Sequence, residues 1–210
     1  MNLSEYRAEV KSAAGIPTTD TGSVPDAELN RVINRAIRDI ANTADFPWLF
    51  AEDIVNLASG ASEFTPPATW VRTEYLTVNV NGRDIPAISK RQLAEWATDK
   101  PGTIRAYAVL GNVIRLVPAT AEAATLRHGY VRTEPVLAAN ADSPLIPDAH
   151  SEWVINLAAL KLAIRTNNGD RITALREEVA KSRALAMDNL RKSKGALGIR
   201  LTKPSVWQDV

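Results

Sequence analysis

Cysteine is absent from all 210 residues, which removes thiol catalysis, disulfide frameworks and thiolate-held zinc or iron–sulfur centres, since each needs sulfur. Histidine is scarce: His128 and His150 are the two present, far apart and in unlike contexts. No HExxH helix or histidine cluster exists, so no metal site and no cofactor are expected. No GxSxG elbow, Walker A loop or GxGxxG occurs, which takes away local support for acyl transfer, nucleotide hydrolysis and dinucleotide binding. Long apolar runs are also missing. None approaches the roughly 20 residues needed to cross a bilayer, and the start MNLSEYRAEVK carries acid and base where a signal peptide needs an apolar core. The expected setting is the cytoplasm, or something assembled there, with no membrane partner.

What is present is ordinary in bulk. With 45% hydrophobic and 23% charged residues, 12 Pro and 10 Gly, the chain is expected to fold around a real core. The formal net charge of +1 gives no global pull toward nucleic acid, but it is unevenly spread. Residues 1–164 hold 15 Lys and Arg against 19 Asp and Glu, whereas residues 165–210 hold 10 against 5.

Apolar spacing predicts a short helix from Leu3 to about Ala14, carrying Leu3, Tyr6 and Val10 and stopped by Gly15 and Pro17. Ser23-Val24-Pro25-Asp26 predicts a second helix start with Ser23 as cap, running to about Ala44 on a stripe of Leu29, Ile33, Ala36, Ile37 and Ile40. From Phe46 to about Val136 the texture is strand-like: FAEDIVNL, WVRTEYLTVNV, RDIPAI, TIRAYAVL, NVIRLVP and ATLRHGYV, with Asn81-Gly82 and Gly111-Asn112 as hairpin turns. SKRQLAEW, Ser89 to Trp96, predicts one short helix among them, capped by Ser89. Beyond Pro144 and Pro147, Asp148 opens a helix with Trp153, Leu157, Leu160 and Ile164 in register, ended by Asn167-Asn168-Gly169. Asp170 opens the last, with Ile172, Leu175, Val179 and Ala186 inward and Arg176, Glu177, Lys181 and Arg183 outward, fading after Leu190.

The fold class expected is therefore α+β: a four-helix bundle, two helices from each end of the chain, with an inserted antiparallel β-module and an extended C-terminal tail. Its parts are residues 1–45, the N-terminal half of the bundle; 46–142, the β-module; 143–194, the hairpin that completes the bundle; and 195–210, the tail.

No catalytic constellation emerges. Glu52-Asp53 and Glu177-Glu178 are adjacent pairs whose side chains diverge on a strand or helix, and both read as surface charge. His150 sits at a helix start and His128 in a strand, each without a visible partner. Trp48, Trp70, Trp96 and Trp153 read as core anchors, with Trp48 and Trp153 expected where bundle meets β-module. Trp207 differs, lying in a tail without helical period, either folded back on its own subunit or docked on another.

Three features together resemble the head-to-tail adaptor, or connector, proteins of tailed bacteriophages, particularly the larger podovirus tail tubular adaptor type. They are Phe46-Pro47-Trp48-Leu49 after the second helix, Asp142-Ser143-Pro144-Leu145-Ile146-Pro147-Asp148 before the third, and a long helical hairpin followed by an irregular tail. The resemblance implies a virion structural protein without catalysis. It would be assembled in the host cytoplasm as a dodecameric ring under the portal, bound to the portal and to a tail or second adaptor protein, with DNA passing through the channel unread. It places portal docking in the tail, on Arg200, Leu201, Lys203, Val206 and Trp207, expected to order only on assembly, while Pro47, Trp48, Pro147 and Trp153 serve as structural anchors. Two other readings remain: a sequence-independent nucleic-acid-binding protein using the basic last helix, and an enzyme whose site is not visible in spacing.

Overall fold

The computed structural model describes residues 1–19, 22–78, 82, 84–96 and 100–197, with side chains to residue 192. The chain divides into two units. One comprises residues 1–43 and 136 onward; the other comprises residues 44–135.

The first unit is helical. Helix α1 (Leu3–Ala13) begins with a reciprocal cap: the Asn2 side chain accepts from the Glu5 amide at 3.0 Å, and the Glu5 carboxylate accepts from the Asn2 amide at 2.8 Å. Gly15, at φ +74°, ends it in a conformation that a Cβ disfavours. Helix α2 (Asp26–Ala41) buries Leu29, Val32, Ile33, Ala36, Ile37 and Ile40 on one side. Two of its expected limits are corrected. Pro25, not Ser23, holds the cap position and makes no side-chain bond there, its fixed φ setting the entry angle instead. The helix closes at Ala41, three residues short of the expected end.

Helix α4 (Ser151–Arg165) packs against α1, α2 and α5 (Gly169–Leu197). That three-sided packing explains why the expected stripe was incomplete: Trp153 is buried, but so are Val154, Ala158, Ala159, Leu162 and Ala163, whereas Ile164 is 53% exposed. A helix packed on three sides has no single apolar stripe. Asn167, at φ +54°, turns the chain, and Asn168 rather than Asp170 caps α5 by accepting from the Arg171 amide at 3.4 Å. Leu175 and Ala186 are buried along α5, and Arg176, Glu177, Lys181 and Arg183 are exposed as expected. Instead of fading at Leu190 the helix persists to Leu197, because the Lys, Ala and Leu beyond Leu190 are good helix formers.

Residues 136–142, read from sequence as the end of the β-module, belong to the helical unit. Leu137 is buried, and Asn34 of α2 clamps its backbone: the Asn34 carbonyl accepts from the Leu137 amide at 2.8 Å and the Asn34 amide donates to the Leu137 carbonyl at 2.9 Å. Asn34→Ala leaves both backbone groups without these partners and is expected to destabilise this unit by about 1–3 kcal/mol. Urea unfolding followed at 222 nm measures it, and an unchanged midpoint would show that the clamp contributes nothing.

The second unit holds two three-stranded antiparallel sheets. One has the order β1 (Phe50–Leu57), β6 (Ala124–Arg132), β3 (Trp70–Val78); the other has the order β2 (Glu63–Phe64), β5 (Val113–Val117), β4 (Ala106–Leu110). Leu57, Leu76 and Leu126 from the first sheet and Phe64, Tyr107, Ile114 and Leu116 from the second form one apolar cluster, joined by Ile85 and Ile104. The β4–β5 hairpin turns at Gly111, φ +62°, where the sequence placed it. The described part of RDIPAI, residues 84–88, forms no strand: Asp84 and Ala87 make isolated bridges to Thr77 and Tyr107. Pro86 between them has no amide to continue a ladder. Gly82 lies in no element, and Asn81 is outside the described residues. On β6, Gly129 lies against the Tyr75 ring of β3, and any Cβ at position 129 would clash with that ring.

Helix α3 (Lys90–Trp96) has the expected cap: Ser89 Oγ accepts from the Gln92 amide at 3.3 Å and Gln92 Oε1 accepts from the Ser89 amide at 3.0 Å. It buries no residue, however, and Trp96 is 43% exposed, which corrects its reading as a core anchor. A seven-residue helix at the surface gives an aromatic nothing to be buried beneath.

Candidate functional site

Glu52, Asp53 and His128 are each engaged by neighbouring side chains. Adjacent Glu52 and Asp53 on β1 face opposite ways, as strand geometry requires. Glu52 lies 3.1 Å from the Arg127 guanidinium and accepts from the Tyr75 hydroxyl, while Asp53 accepts from the Tyr130 hydroxyl at 3.0 Å. Burial and the bond to Glu52 push the Tyr75 phenol up to about 12, so it stays neutral.

His128 lies directly opposite Asp53 across the β1–β6 ladder and is completely buried, stacked on Tyr130 at 5.0 Å and edge-on to Phe64 at 5.4 Å. Its Nε2 is 3.0 Å from Thr73 Oγ1, a spacing that a nucleophile and its base would also show. The same hydroxyl accepts from Trp70 Nε1 at 3.2 Å, Tyr130 holds the aspartate, and the ring has no exposed edge to meet a substrate. This is a structural histidine. Burial lowers its pKa, with Asp53 acting weakly in the opposite direction. The sign follows: an unfolded histidine gains its proton near pH 6.5 and the folded one only at lower pH, so stability drops as pH falls below about 6.5. The β-rich unit is therefore expected to unfold at lower urea at pH 5.5 than at pH 7.5, and His128→Gln to flatten that dependence. An unaltered slope in the variant would assign it to other groups.

Among the described residues no group of three or more His, Asp or Glu is gathered as metal ligands. A cleft of about 510 Å³ in the β-rich unit is lined by Trp96, Lys100, Pro101, Arg105, Val117 and Pro118, with Glu95 at its side. It brings an aromatic, two cations and the Glu95 carboxylate together.

The expected anchors are placed as follows. Pro47 and Trp48 lie in a single 3-10 turn, Pro47–Leu49; Trp48 stacks on buried Phe46 at 4.2 Å, and its carbonyl accepts from the Arg132 guanidinium at 3.5 Å. Pro147 precedes a 3-10 turn, Asp148–His150, which feeds α4, and Trp153 is 2% exposed one turn on. Arg200, Leu201, Lys203, Val206 and Trp207 lie outside the described residues.

Charge on the helical unit is sorted by face, with Arg31, Arg35 and Arg38 away from the apolar stripe of α2 as its helical spacing predicts. On α2, Glu28 is held by Arg31 and by Arg165 of α4, and Asp39 by Lys161 of α4 at 2.6 Å. Arg35 and Arg38, on the exposed side of α2, have no acidic partner among the described residues. On α1, Glu5 and Glu9 are exposed opposite the buried Leu3, Tyr6 and Val10. The helical spacing of these residues was the available signal.

The profile of SU10 adaptor proteins matches residues 1–200, through every element from α1 to α5. The chain belongs to the SU10 adaptor protein family. Membership bears out the head-to-tail adaptor resemblance and makes this a structural adaptor of the phage virion; the narrower likeness to podovirus tubular adaptors is not part of the match. No curated protein matches the chain.

Proposed function

We propose that this SU10 adaptor assembles as a ring, a dodecamer in the form the resemblance implies, joining the portal to a tail or second adaptor protein around a channel through which DNA passes unread. Its helical unit serves as a four-helix bundle, and residues 200–210 dock on the neighbouring component. The observation that carries this reading is the family match across 200 residues, spanning both the helices and the β-rich insertion. It is supported by the internal use of Glu52, Asp53 and His128, which are engaged with one another's neighbours in the β-rich unit, as suits a protein that acts by docking. On α5, Arg176, Lys181, Arg183 and Arg191 are exposed, but Glu177 and Asp188 interleave with them, a pattern that suits a protein partner better than a phosphate backbone. Sedimentation of the purified chain with a purified portal ring tests the proposal. The chain is expected to move with the ring, whereas a chain left at the top of the gradient at every salt concentration would overturn it.

A further inference from the structure

We infer that neighbouring copies in the assembly join through the exposed face of α2 on one copy and the exposed face of α1 on the next, with Arg35 and Arg38 meeting Glu5 and Glu9. The inference rests on the ring reading above and names the surfaces that close it. Arg35 and Arg38 lie opposite the buried stripe of α2, and Glu5 and Glu9 lie opposite that of α1. Both stripes enter the core shared by α1, α2 and α4, so the two outward faces point away from each other. One face cannot reach the other within a copy, and a two-fold pairing of either face with itself would set like charges together. Opposite charges on diverging faces instead favour head-to-tail association, the geometry that closes into rings.

The pairs also match in spacing. Residues three or four apart on a helix place their Cβ atoms about 5–6 Å apart, so Arg35 and Arg38 present two cations at the interval at which Glu5 and Glu9 present two anions. Their neighbours reinforce the contrast. Beside the arginines, Glu28 and Asp39 are already neutralised by Arg31, Arg165 and Lys161, leaving an excess of positive charge. Near the start of α1, Asp148 is taken up by the Met1 amino group, and Glu152 in the first turn of α4 is exposed. A nucleic acid is the less suited occupant of the arginine face, because two cations neutralise few phosphates.

The test uses the full chain in two variants. Arg35→Glu/Arg38→Glu makes both faces acidic. Glu5→Gln/Glu9→Lys removes the acidic face, and glutamine at position 5 retains the reciprocal cap with Asn2. Each variant alone is expected to need about tenfold or more higher concentration to assemble, with its thermal melt unchanged because these side chains are exposed. An equimolar mixture should recover assembly, since every junction can again pair acid with base. Raising the salt should weaken the parent assembly.

Variants that assemble like the parent would overturn the inference while leaving the ring intact. So would variants that fail alone and do not recover when mixed, or an arginine variant that assembles normally but loses retention of duplex DNA. A parent chain that stays monomeric both alone and with the portal ring would overturn the inference together with the reading on which it rests.

Discussion

Trp153→Ala is expected to destabilise the helical unit by about 3–5 kcal/mol, the cost of emptying a large buried aromatic site that cannot fully collapse. The residue is 2% exposed in the first turn of α4, the helix that packs against α1, α2 and α5, so the cavity would open inside that unit. The loss should lower the thermal midpoint, followed at 222 nm, by roughly 6–20 °C. Trp96→Ala is the matched control, since that ring is 43% exposed and its loss should change stability by no more than about 0.5 kcal/mol. Equal effects at the two positions would show that α4 is not central to the packing.

Removing residues 200–210 is expected to do the reverse: leave the melt of the subunit almost unchanged and abolish joining to the portal. The segment RLTKPSVWQDV offers Leu201, Val206 and Trp207 as apolar anchors, with Arg200 and Lys203 to steer it toward an acidic surface. A buried aromatic anchor contributes about 2 kcal/mol or more, so Trp207→Ala alone should weaken joining about thirtyfold or more. Melting curves and co-sedimentation of the same preparations separate the possibilities. A destabilised subunit that still joins normally would mean that the tail serves its own fold.

Much of this architecture was legible because its signals are local. The α2 stripe, the Ser89 and Gln92 cap and the β1 run each lie within a window of about ten residues, where periodicity and capping act. The parts that were not legible depend on distant partners. Residues 136–142 join the helical unit through Asn34, about a hundred positions away, and no local pattern announces that clamp. The expected α4 stripe missed buried alanines because a helix covered on three sides loses its single-face period. Trp96 carries the composition of a core residue on a helix too short to be covered. Strand β2, two residues long, is created by its pairing with β5 rather than by its own sequence.

The adaptor class was legible in the sequence; the sorting of charge on its helices was not fully so. Missing thiols and isolated histidines pointed away from catalysis, and the family match agrees with the adaptor class. The sorted charge of α1 and α2 needed the fold, because only packing shows that Glu28 and Asp39 are already taken by Arg165 and Lys161 while Arg35 and Arg38 are not.

The most direct measurement of the central claim is the mass of the particle this chain forms, taken by mass photometry across a concentration series with and without the portal ring. A closed assembly near twelve times the 22.8 kDa chain mass, which the portal ring captures whole, is the predicted result. A single 22.8 kDa species at every concentration, unaffected by the portal ring, would contradict it.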